Sequence, residues 1–121
     1  MKLQSLNGEF VVCKLPSLEE VDFSRELVFL SKTAEELSLL CEADAVPSDT
    51  LALETGWRGL KICGELDFGM IGVIAGISGL LAEKGVSVFV VSTYNTDYIF
   101  VKDGQYRDAV EALREGGYTV A

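Results

Sequence analysis

The order of strand-like and helix-like patterns in the second half of the chain constrains its fold more than any other feature. From Trp57 to Val120, segments with alternating apolar residues are separated by segments whose apolar residues recur at helical spacing. The predicted elements are a strand over Trp57–Leu66, a helix over Gly69–Lys84, strands over Val86–Ser92 and Asp97–Lys102, a helix over 106–113 and a strand over Tyr118–Val120. This βαββαβ order predicts an α+β, ferredoxin-like fold, in which two helices cover one face of a four-stranded antiparallel sheet.

The first half of the chain resembles the second when the two are aligned at fixed shifts. A shift of 61 places Leu30–Leu40 on Val91–Val101, and a shift of 50 places Val12-Cys13 on Ile62-Cys63. The smaller shift indicates that the first helix of the first unit is cut down to Pro16–Phe23, about three helical turns shorter. We therefore predict two tandem units, an abbreviated one over 1–56 and a complete one over 57–121.

The repeat decides between two interpretations of residues Thr33–Glu42. Their composition favours a helix, whereas the alignment makes Glu36–Cys41 a strand that pairs back on Leu27–Ser31. We predict the strand. The alignment also makes Ala43–Val46 a remnant of the second helix and Thr50–Thr55 the closing strand of the first unit.

Charge and composition narrow the range of functions. The 121-residue chain carries a formal net charge of −9 and contains no histidine. Because phosphate contacts need a basic surface, we expect neither nucleic acid nor an anionic membrane as a partner. The missing histidine removes the usual proton shuttle and the commonest metal ligand, and no other residues combine a nucleophile, a base and an oxyanion donor. We therefore expect no enzyme activity, no metal and no cofactor.

The cysteines and the N-terminal residues bear on the cellular compartment. Cys13, Cys41 and Cys63 are an odd number, are widely spaced and lie in apolar runs, which predicts buried free thiols in a reducing cytosol. The first residues lack the apolar core of a signal peptide, and no apolar run approaches the ~20 residues that span a membrane. We therefore expect a cytoplasmic protein.

Two segments are candidates for a binding site. Asp67–Gly72 is a glycine-containing turn into a helix, and the unpaired backbone amides of such a turn suit a carboxylate. Ser92–Asp97 joins two strands and offers threonine hydroxyls together with Asp97, an acceptor for an ammonium or guanidinium group. Each segment also has a structural interpretation, since glycines allow close helix packing and a polar hairpin suits a turn.

Four stretches of the second half carry a resemblance to a known family. They are Gly56–Lys61, Gly64–Phe68, Leu81–Phe89 and Ser92–Tyr98. These stretches look like the small tandem ACT-domain proteins of bacteria and are similar to the ACT repeats of CASTOR-type arginine sensors. The resemblance implies βαββαβ modules that bind amino acids at interfaces between paired domains and commonly regulate biosynthetic enzymes. That fold agrees with the one predicted from periodicity.

The resemblance also implies which residues contact a ligand. They are Asp67, Met70 and Gly72 in the turn before the first helix, and Thr93, Tyr94, Thr96 and Asp97 in the hairpin. Asp97 is the expected partner of the ligand's positive group. Because this chain has only two units, and the first lacks the long helix and the glycine turn, a complete site needs a second chain.

These observations lead to two alternative functions. The first is a non-enzymatic, regulatory ACT protein that binds an amino acid or a similar small zwitterion at an interface between ACT units, and that forms a homodimer. The second is a ligand-free protein–protein interaction module, which would dock on a protein partner through its sheet edge or its glycine-rich helix.

Overall fold

The computed structural model describes residues 1–64 and 71–121. In this part of the chain the elements are β1 (Lys2–Ser5), β2 (Phe10–Leu15), β3 (Val28–Lys32), β4 (Leu37–Glu42), β5 (Ala52–Ile62), α1 (Val73–Glu83), β6 (Phe89–Ser92), β7 (Asp97–Lys102), α2 (Tyr106–Glu115) and β8 (Thr119–Val120). Short 3-10 turns, Ala43–Ala45 and Asp103–Gln105, follow β4 and β7. Neither of the described helices is both long enough and apolar enough to cross a membrane.

The chain divides into two compact units. Residues 1–7 and 58–121 form one, here called the helical unit, and residues 8–57 form the other, here called the strand unit. The predicted division at 56/57 placed residues 1–7 in the first unit. They join the helical unit because β1 pairs with β5 and with β8.

The sheet of the helical unit contains one strand more than predicted. Its strand order is β6-β7-β5-β1-β8, so the N-terminal strand lies between β5 and β8. β1 runs antiparallel to β5, with Leu3 opposite Ile62, and parallel to β8. The βαββαβ order from β5 to β8 is confirmed. β1 was missed because a strand of four residues is too short to show a period.

Both helices pack on one face of this sheet. The core residues from the helices and the sheet are Leu3, Leu60, Ile62, Ile77, Leu81, Ile99, Val101, Ala109 and Leu113. Because side chains alternate along a strand, Leu60 and Ile62 face the helices and Lys61 lies on the opposite face. By the same rule Ile99 faces the helices and Tyr98 lies on the opposite face.

Helix α1 begins later than predicted. Its N-cap position is Gly72, in the left-handed conformation with φ 79°, so residues 71 and 72, which were predicted to be helical, precede the helix. The predicted start at Gly69 and Asp67, in the turn predicted before the helix, lie outside the described residues. The predicted stop at Gly85 is confirmed, since the amides of Gly85 and Val86 donate to the carbonyls of Ala82 and Leu81, which closes the helix in a Schellman-type turn.

The strand unit is an antiparallel sheet in the order β3-β4-β2-β5. Its core residues are Val11, Cys13, Leu15, Leu39 and Cys41, with Val21 and Ala43 packed against them. The predicted strand over 36–41 is confirmed as β4, and the turn Ala43–Ala45 is the remnant of a second helix. Burial of alternate apolar side chains in a sheet therefore outweighs the helix propensity of this segment.

The predicted break at Gly56 is wrong, because β5 runs unbroken from Ala52 to Ile62. Phe10 of β2 pairs with Trp57 and Val12 pairs with Glu54, so two residues of β5 lie opposite one residue of β2. This is a β-bulge. Gly56, with φ 79°, adopts the left-handed backbone that such a bulge can require, which explains a glycine inside a strand.

The predicted short helix over Pro16–Phe23 is also wrong, because the segment forms turns and bends. Carboxylates of this segment accept hydrogen bonds from backbone amides that do not belong to a helix. The Asp22 carboxylate accepts the Ser24 amide over 3.0 Å, and the Glu20 carboxylate accepts the amides of Ser48 and Asp49 over 3.3 and 3.2 Å. These bonds stabilise a loop rather than a helical turn.

The repeat is real, but its register differs by one residue from the predicted one. β4 and its 3-10 turn match β7 and its turn at a shift of 60 rather than 61, so that Leu37, and not Glu36, corresponds to Asp97. The predicted shift of 50 for the first strands is wrong for a related reason. Val11 and Cys13 face the core of the strand unit, and Leu60 and Ile62 face the core of the helical unit. An alignment that matches core-facing residues must place an odd-numbered residue on an even-numbered one, so the shift must be an odd number.

Candidate functional site

The turn between β6 and β7 is held by its own threonine side chain. The amide of Thr93 donates to the carbonyl of Thr96 over 2.9 Å, and the Thr93 hydroxyl donates to the same carbonyl over 2.9 Å. The same hydroxyl oxygen accepts the Thr96 amide at 3.4 Å. The local sequence thus fixes the shape of this hairpin without help from distant residues.

A second threonine joins the hairpin to the sheet. Thr96 is the buried polar residue of the described core, 4% exposed, and its hydroxyl donates to the carbonyl of Ile62 over 2.8 Å. Ile62 is the last residue of β5, and Gly64 follows two positions later. The bond therefore places the hairpin beside the end of β5.

A cavity of about 290 Å³ lies at this junction, at the lower end of the size range of small-molecule sites. Its lining residues are Lys61, Gly64, Thr93, Asn95, Thr96 and Tyr98. Lys61 and Tyr98 come from the sheet face that the helices do not cover. We call this cavity the hairpin pocket.

Among the described lining residues of the hairpin pocket one is charged, and it is a cation. Lys61 is half-buried, and no ion pair among residues 1–64 and 71–121 involves its ammonium group. Asn95 adds a side-chain amide and Tyr98 a phenol. A positive charge beside neutral hydrogen-bonding groups can bind a carboxylate.

The structure brings some of the predicted site residues together and separates others. Thr93 and Thr96 line the hairpin pocket, whereas Tyr94, at the tip of the turn, is 77% exposed and does not line it. Gly72 lies at the start of α1, where its carbonyl accepts the amide of Gly76 over 2.9 Å. The predicted site residues Asp67 and Met70 lie outside the described residues.

Asp97, the predicted partner of a positive group, is the first residue of β7 and pairs with Ser92 of β6. It shares its face of the strand with Ile99, so it lies on the side opposite to Tyr98. In the described part of the chain no cation pairs with its carboxylate. The role predicted for Asp97 remains a prediction.

The sequence reasoning missed four lining residues, which are Lys61, Gly64, Asn95 and Tyr98. Strand alternation separates Lys61 from its core neighbours Leu60 and Ile62 and could have assigned it to the open face of the sheet. The pairing of β5 with β7, which brings Lys61 near Tyr98, is not encoded in any local pattern.

The strand unit carries a hairpin of the same shape but different chemistry. The amide of Thr33 donates to the carbonyl of Glu36 over 2.9 Å, as that of Thr93 does to Thr96. At the observed shift of 60, Glu35 and Glu36 take the places of Asn95 and Thr96. Two carboxylates thus stand where the helical unit has an amide and a hydroxyl.

Charged residues of the strand unit form a network around one arginine. The Arg25 guanidinium lies 2.9 Å from Asp44, 3.2 Å from Glu42 and 3.3 Å from Asp22. Hydrogen bonds to Asp44 and then Asp22 raise the pKa of Arg25, and the hydrogen bonds from Ser24 and Arg25 lower the pKa of Asp22. Each charge has a partner, so the network serves to anchor the loop rather than to bind a ligand.

The thiols and carboxylates offer no second chemical site in the described residues. Burial raises the pKa of Cys13, and burial followed by repulsion from nearby negative groups such as Glu42 raises the pKa of Cys41 to about 11, so both stay protonated and unreactive. No group of three or more His, Cys, Asp or Glu residues among 1–64 and 71–121 is placed to hold a metal ion.

Solved structures share this fold. The chain is 27% identical to a protein from Agrobacterium tumefaciens, with a TM-score of 0.88 over 99% of this chain and 91% of that one. It is 25% identical to a protein of unknown function from Vibrio cholerae, named a possible transport protein, with a TM-score of 0.73 over 95% and 88% of the two chains. The regulatory subunit of aspartate kinase from Thermus thermophilus, 8% identical, has a TM-score of 0.68 over 95% of this chain and 96% of that subunit, and so shares the fold alone.

Sequence comparison points to one family. The human and bovine proteins named cytosolic arginine sensor for mTORC1 subunit 1 are each 31% identical to the chain over 85 residues, which cover 64% of this chain and 26% of each relative. The matched region thus spans about a quarter of the length of these relatives. The family model of the ACT domain matches residues 52–115, more than half of the chain and most of the helical unit. The chain belongs to the ACT domain family.

Proposed function

We propose that this protein is a non-catalytic regulatory ACT protein that binds an amino acid in the hairpin pocket. The observation that carries the proposal is the pocket itself, in which Lys61, a cation with no ion-pair partner among the described residues, lies among neutral groups that donate and accept hydrogen bonds. Every amino acid has a carboxylate for such a cation. The name of the arginine sensors supports an amino acid as the ligand class.

Asp97 supplies a place for the ammonium group of the ligand. It directly follows Thr96, a lining residue of the hairpin pocket, and its carboxylate pairs with no described cation. Removal of a charge-assisted hydrogen bond at this position should weaken binding by about 1.5 kcal/mol or more. The small pocket is open, and we propose that a second copy of the chain completes the site in a homodimer.

Thermal-shift screening of the standard amino acids, followed by isothermal titration of those that stabilise the protein, tests this proposal. We expect one class of amino acid to raise the melting temperature at millimolar concentration, and Asp97→Ala to weaken its binding. Asp108→Asn is the control, because Asp108 is an exposed acid on α2 outside the pocket lining. If no amino acid stabilises the protein, the proposal fails.

The repeat provides a matched pair of variants for the pocket. Thr93→Val and Thr33→Val each remove the threonine hydroxyl that stabilises a hairpin, but Thr93 alone of the two lines the pocket. We expect Thr93→Val to weaken ligand binding and Thr33→Val to leave it unchanged. Equal effects of the two variants would show that the pocket is not the site.

The alternative function, a protein–protein interaction module, is favoured by one observation on α1. Four of its five exposed positions, Ala75, Gly76, Gly79 and Ala82, carry no charge, and Ile71 before the helix is 96% exposed. A face of this kind suits contact with another protein. Recovery of a constant partner in a pull-down without added amino acid, and its loss in Gly79→Lys, would favour this alternative.

A further inference from the structure

Lys61 is the charged residue among the described lining residues of the hairpin pocket. All amino acids share the same carboxylate and ammonium groups, so the sign of the side-chain charge decides which of them a charged pocket prefers. In a cavity of about 290 Å³ a bound side chain cannot move far from Lys61. The ammonium group of Lys61 therefore acts on the side chain of any ligand held there.

None of the described lining residues offers a negative charge to balance Lys61. The other residues of the described lining, Gly64, Thr93, Asn95, Thr96 and Tyr98, are all neutral. Asp97 is not among the described lining residues, and in the proposed function its carboxylate binds the ammonium group that all amino acids share, so it does not select among their side chains. A cationic side chain in this pocket would meet the like charge of Lys61, and no carboxylate of the described lining would compensate it.

We propose that the hairpin pocket takes a small ligand of net negative charge, an acidic amino acid or the corresponding 2-oxo acid, and discriminates against arginine and lysine. This inference rests on the proposed function, because it assumes that the pocket is the amino-acid site. It separates this chain from the relatives whose name specifies arginine. The chemistry shared by the two ligand sources is a pair of carboxylates within reach of Lys61.

Isothermal titration with L-glutamate, L-glutamine and L-arginine at low, matched ionic strength tests the selection, because glutamate and glutamine have nearly the same shape and differ in charge. Wild-type protein should bind glutamate roughly tenfold more tightly than glutamine, and arginine most weakly. 2-Oxoglutarate forms a second arm. If 2-oxoglutarate binds as tightly as glutamate, the pocket accepts the 2-oxo acid as well as the amino acid. If 2-oxoglutarate binds more weakly, the acidic amino acid is the preferred ligand.

Variants of Lys61 show whether this residue is the cause. Lys61→Gln should remove the difference between glutamate and glutamine, Lys61→Arg should keep it, and Lys61→Glu should reverse the order in favour of arginine. Lys14→Gln is the control, because Lys14 is an exposed lysine of the strand unit. Circular dichroism confirms that each variant is folded, and Lys61→Arg keeps the test valid if the neutral variant unfolds.

The results distinguish this inference from the function on which it rests. If arginine binds wild-type protein as tightly as glutamate, or if Lys61→Gln keeps the preference for glutamate, the charge selection is overturned while amino-acid binding stands. If no amino acid binds, both proposals are overturned.

Discussion

The buried hydroxyl of Thr96 donates a hydrogen bond to the main-chain carbonyl of Ile62 over 2.8 Å, and this bond holds the β6–β7 hairpin against the end of β5. Both residues are almost inaccessible to solvent, so water cannot easily replace the donor. The wall of the hairpin pocket therefore depends on one side-chain hydroxyl.

Replacing this hydroxyl should cost stability. Thr96→Val keeps the shape of the side chain but leaves the Ile62 carbonyl without a donor, and we expect unfolding free energy to fall by about 1–3 kcal/mol. Thr96→Ser, which keeps the hydroxyl, should lose less. Urea unfolding followed by circular dichroism measures both. Equal stability of Thr96→Val and wild type would mean that the bond contributes nothing.

Two glycines of the helical unit should respond in opposite directions to alanine. A Cβ atom on Gly59 would lie 2.8 Å from the ring of Phe100, which is fully buried and cannot move aside, so Gly59→Ala should destabilise by about 1–3 kcal/mol. Gly79, inside α1, has open space around the same position. Gly79→Ala should therefore stabilise by up to about 1 kcal/mol through helix propensity. Thermal unfolding measures the melting temperature of each variant. A change in the same direction for both variants would contradict this reasoning.

Arg25 should anchor the loop over residues 16–27 of the strand unit. Arg25→Gln removes the ion pairs to Asp22, Glu42 and Asp44, and we expect faster amide hydrogen exchange over 16–27 than in wild type. Arg107→Gln is the control, because Arg107 is exposed and forms no ion pair with any described residue. Added salt should shrink the difference between Arg25→Gln and wild type, since it screens exposed ion pairs. Unchanged exchange in this loop would rule out the anchoring role.

The carboxylate of Glu20 should make the stability of the same loop depend on pH. The Ser48 hydroxyl, the Ser48 amide and the Asp49 amide donate to it and lower its pKa from the ordinary value of 4.5. Because the folded-state pKa is the lower one, this contribution is complete above about pH 4.5 and is lost as the pH falls through the folded-state pKa. Wild type should therefore exceed Glu20→Gln in stability at pH 7, and the difference should shrink as the pH falls below 4.5. A constant difference from pH 7 to pH 3 would contradict the assignment.

The three thiols should react at different rates. Cys13 and Cys41 are 4% and 2% exposed, and burial raises the pKa of both, so neither should react with a thiol reagent at pH 8 until the protein unfolds. Cys63 is only partly buried and should react first. Cys63→Ser should abolish the fast phase of reaction with Ellman's reagent. A fast phase that survives in this variant would place a second thiol at the surface.

The sequence allowed the order of the elements in the helical unit to be predicted, because amphipathic periods of two and of 3.6 residues reflect which side chains are buried. It also identified the hairpin that lines the pocket, through the polar run that interrupts two apolar strands. Lys61 escaped notice because its importance comes from the pairing of β5 with β7, which is non-local. Local pattern thus predicts a hairpin more easily than the cavity beside it.

The errors in register also have a physical origin. Aligning the two units at a shift of 61 or of 60 matches residue types almost equally well. Only the shift of 60 aligns Cys41 with Val101, and both of these side chains are buried. Sequence identity between the two units does not detect this difference, whereas the burial of side chains does. Similarly, Gly56 was interpreted as a break, although a left-handed residue in a bulge lets a strand continue.

The pairing of β1 has a consequence for the engineering of this chain. In chain order the strand unit is an insertion, since residues 8–57 leave the helical unit after β1 and the chain returns at residue 58. The Leu6 amide donates to the Gly59 carbonyl over 2.9 Å, so the two ends of the insertion lie side by side. A cut at residue 57 would therefore remove a strand from between β5 and β8, whereas a short turn joining residue 7 to residue 58 would keep every strand of the pocket-bearing unit on one shortened polypeptide.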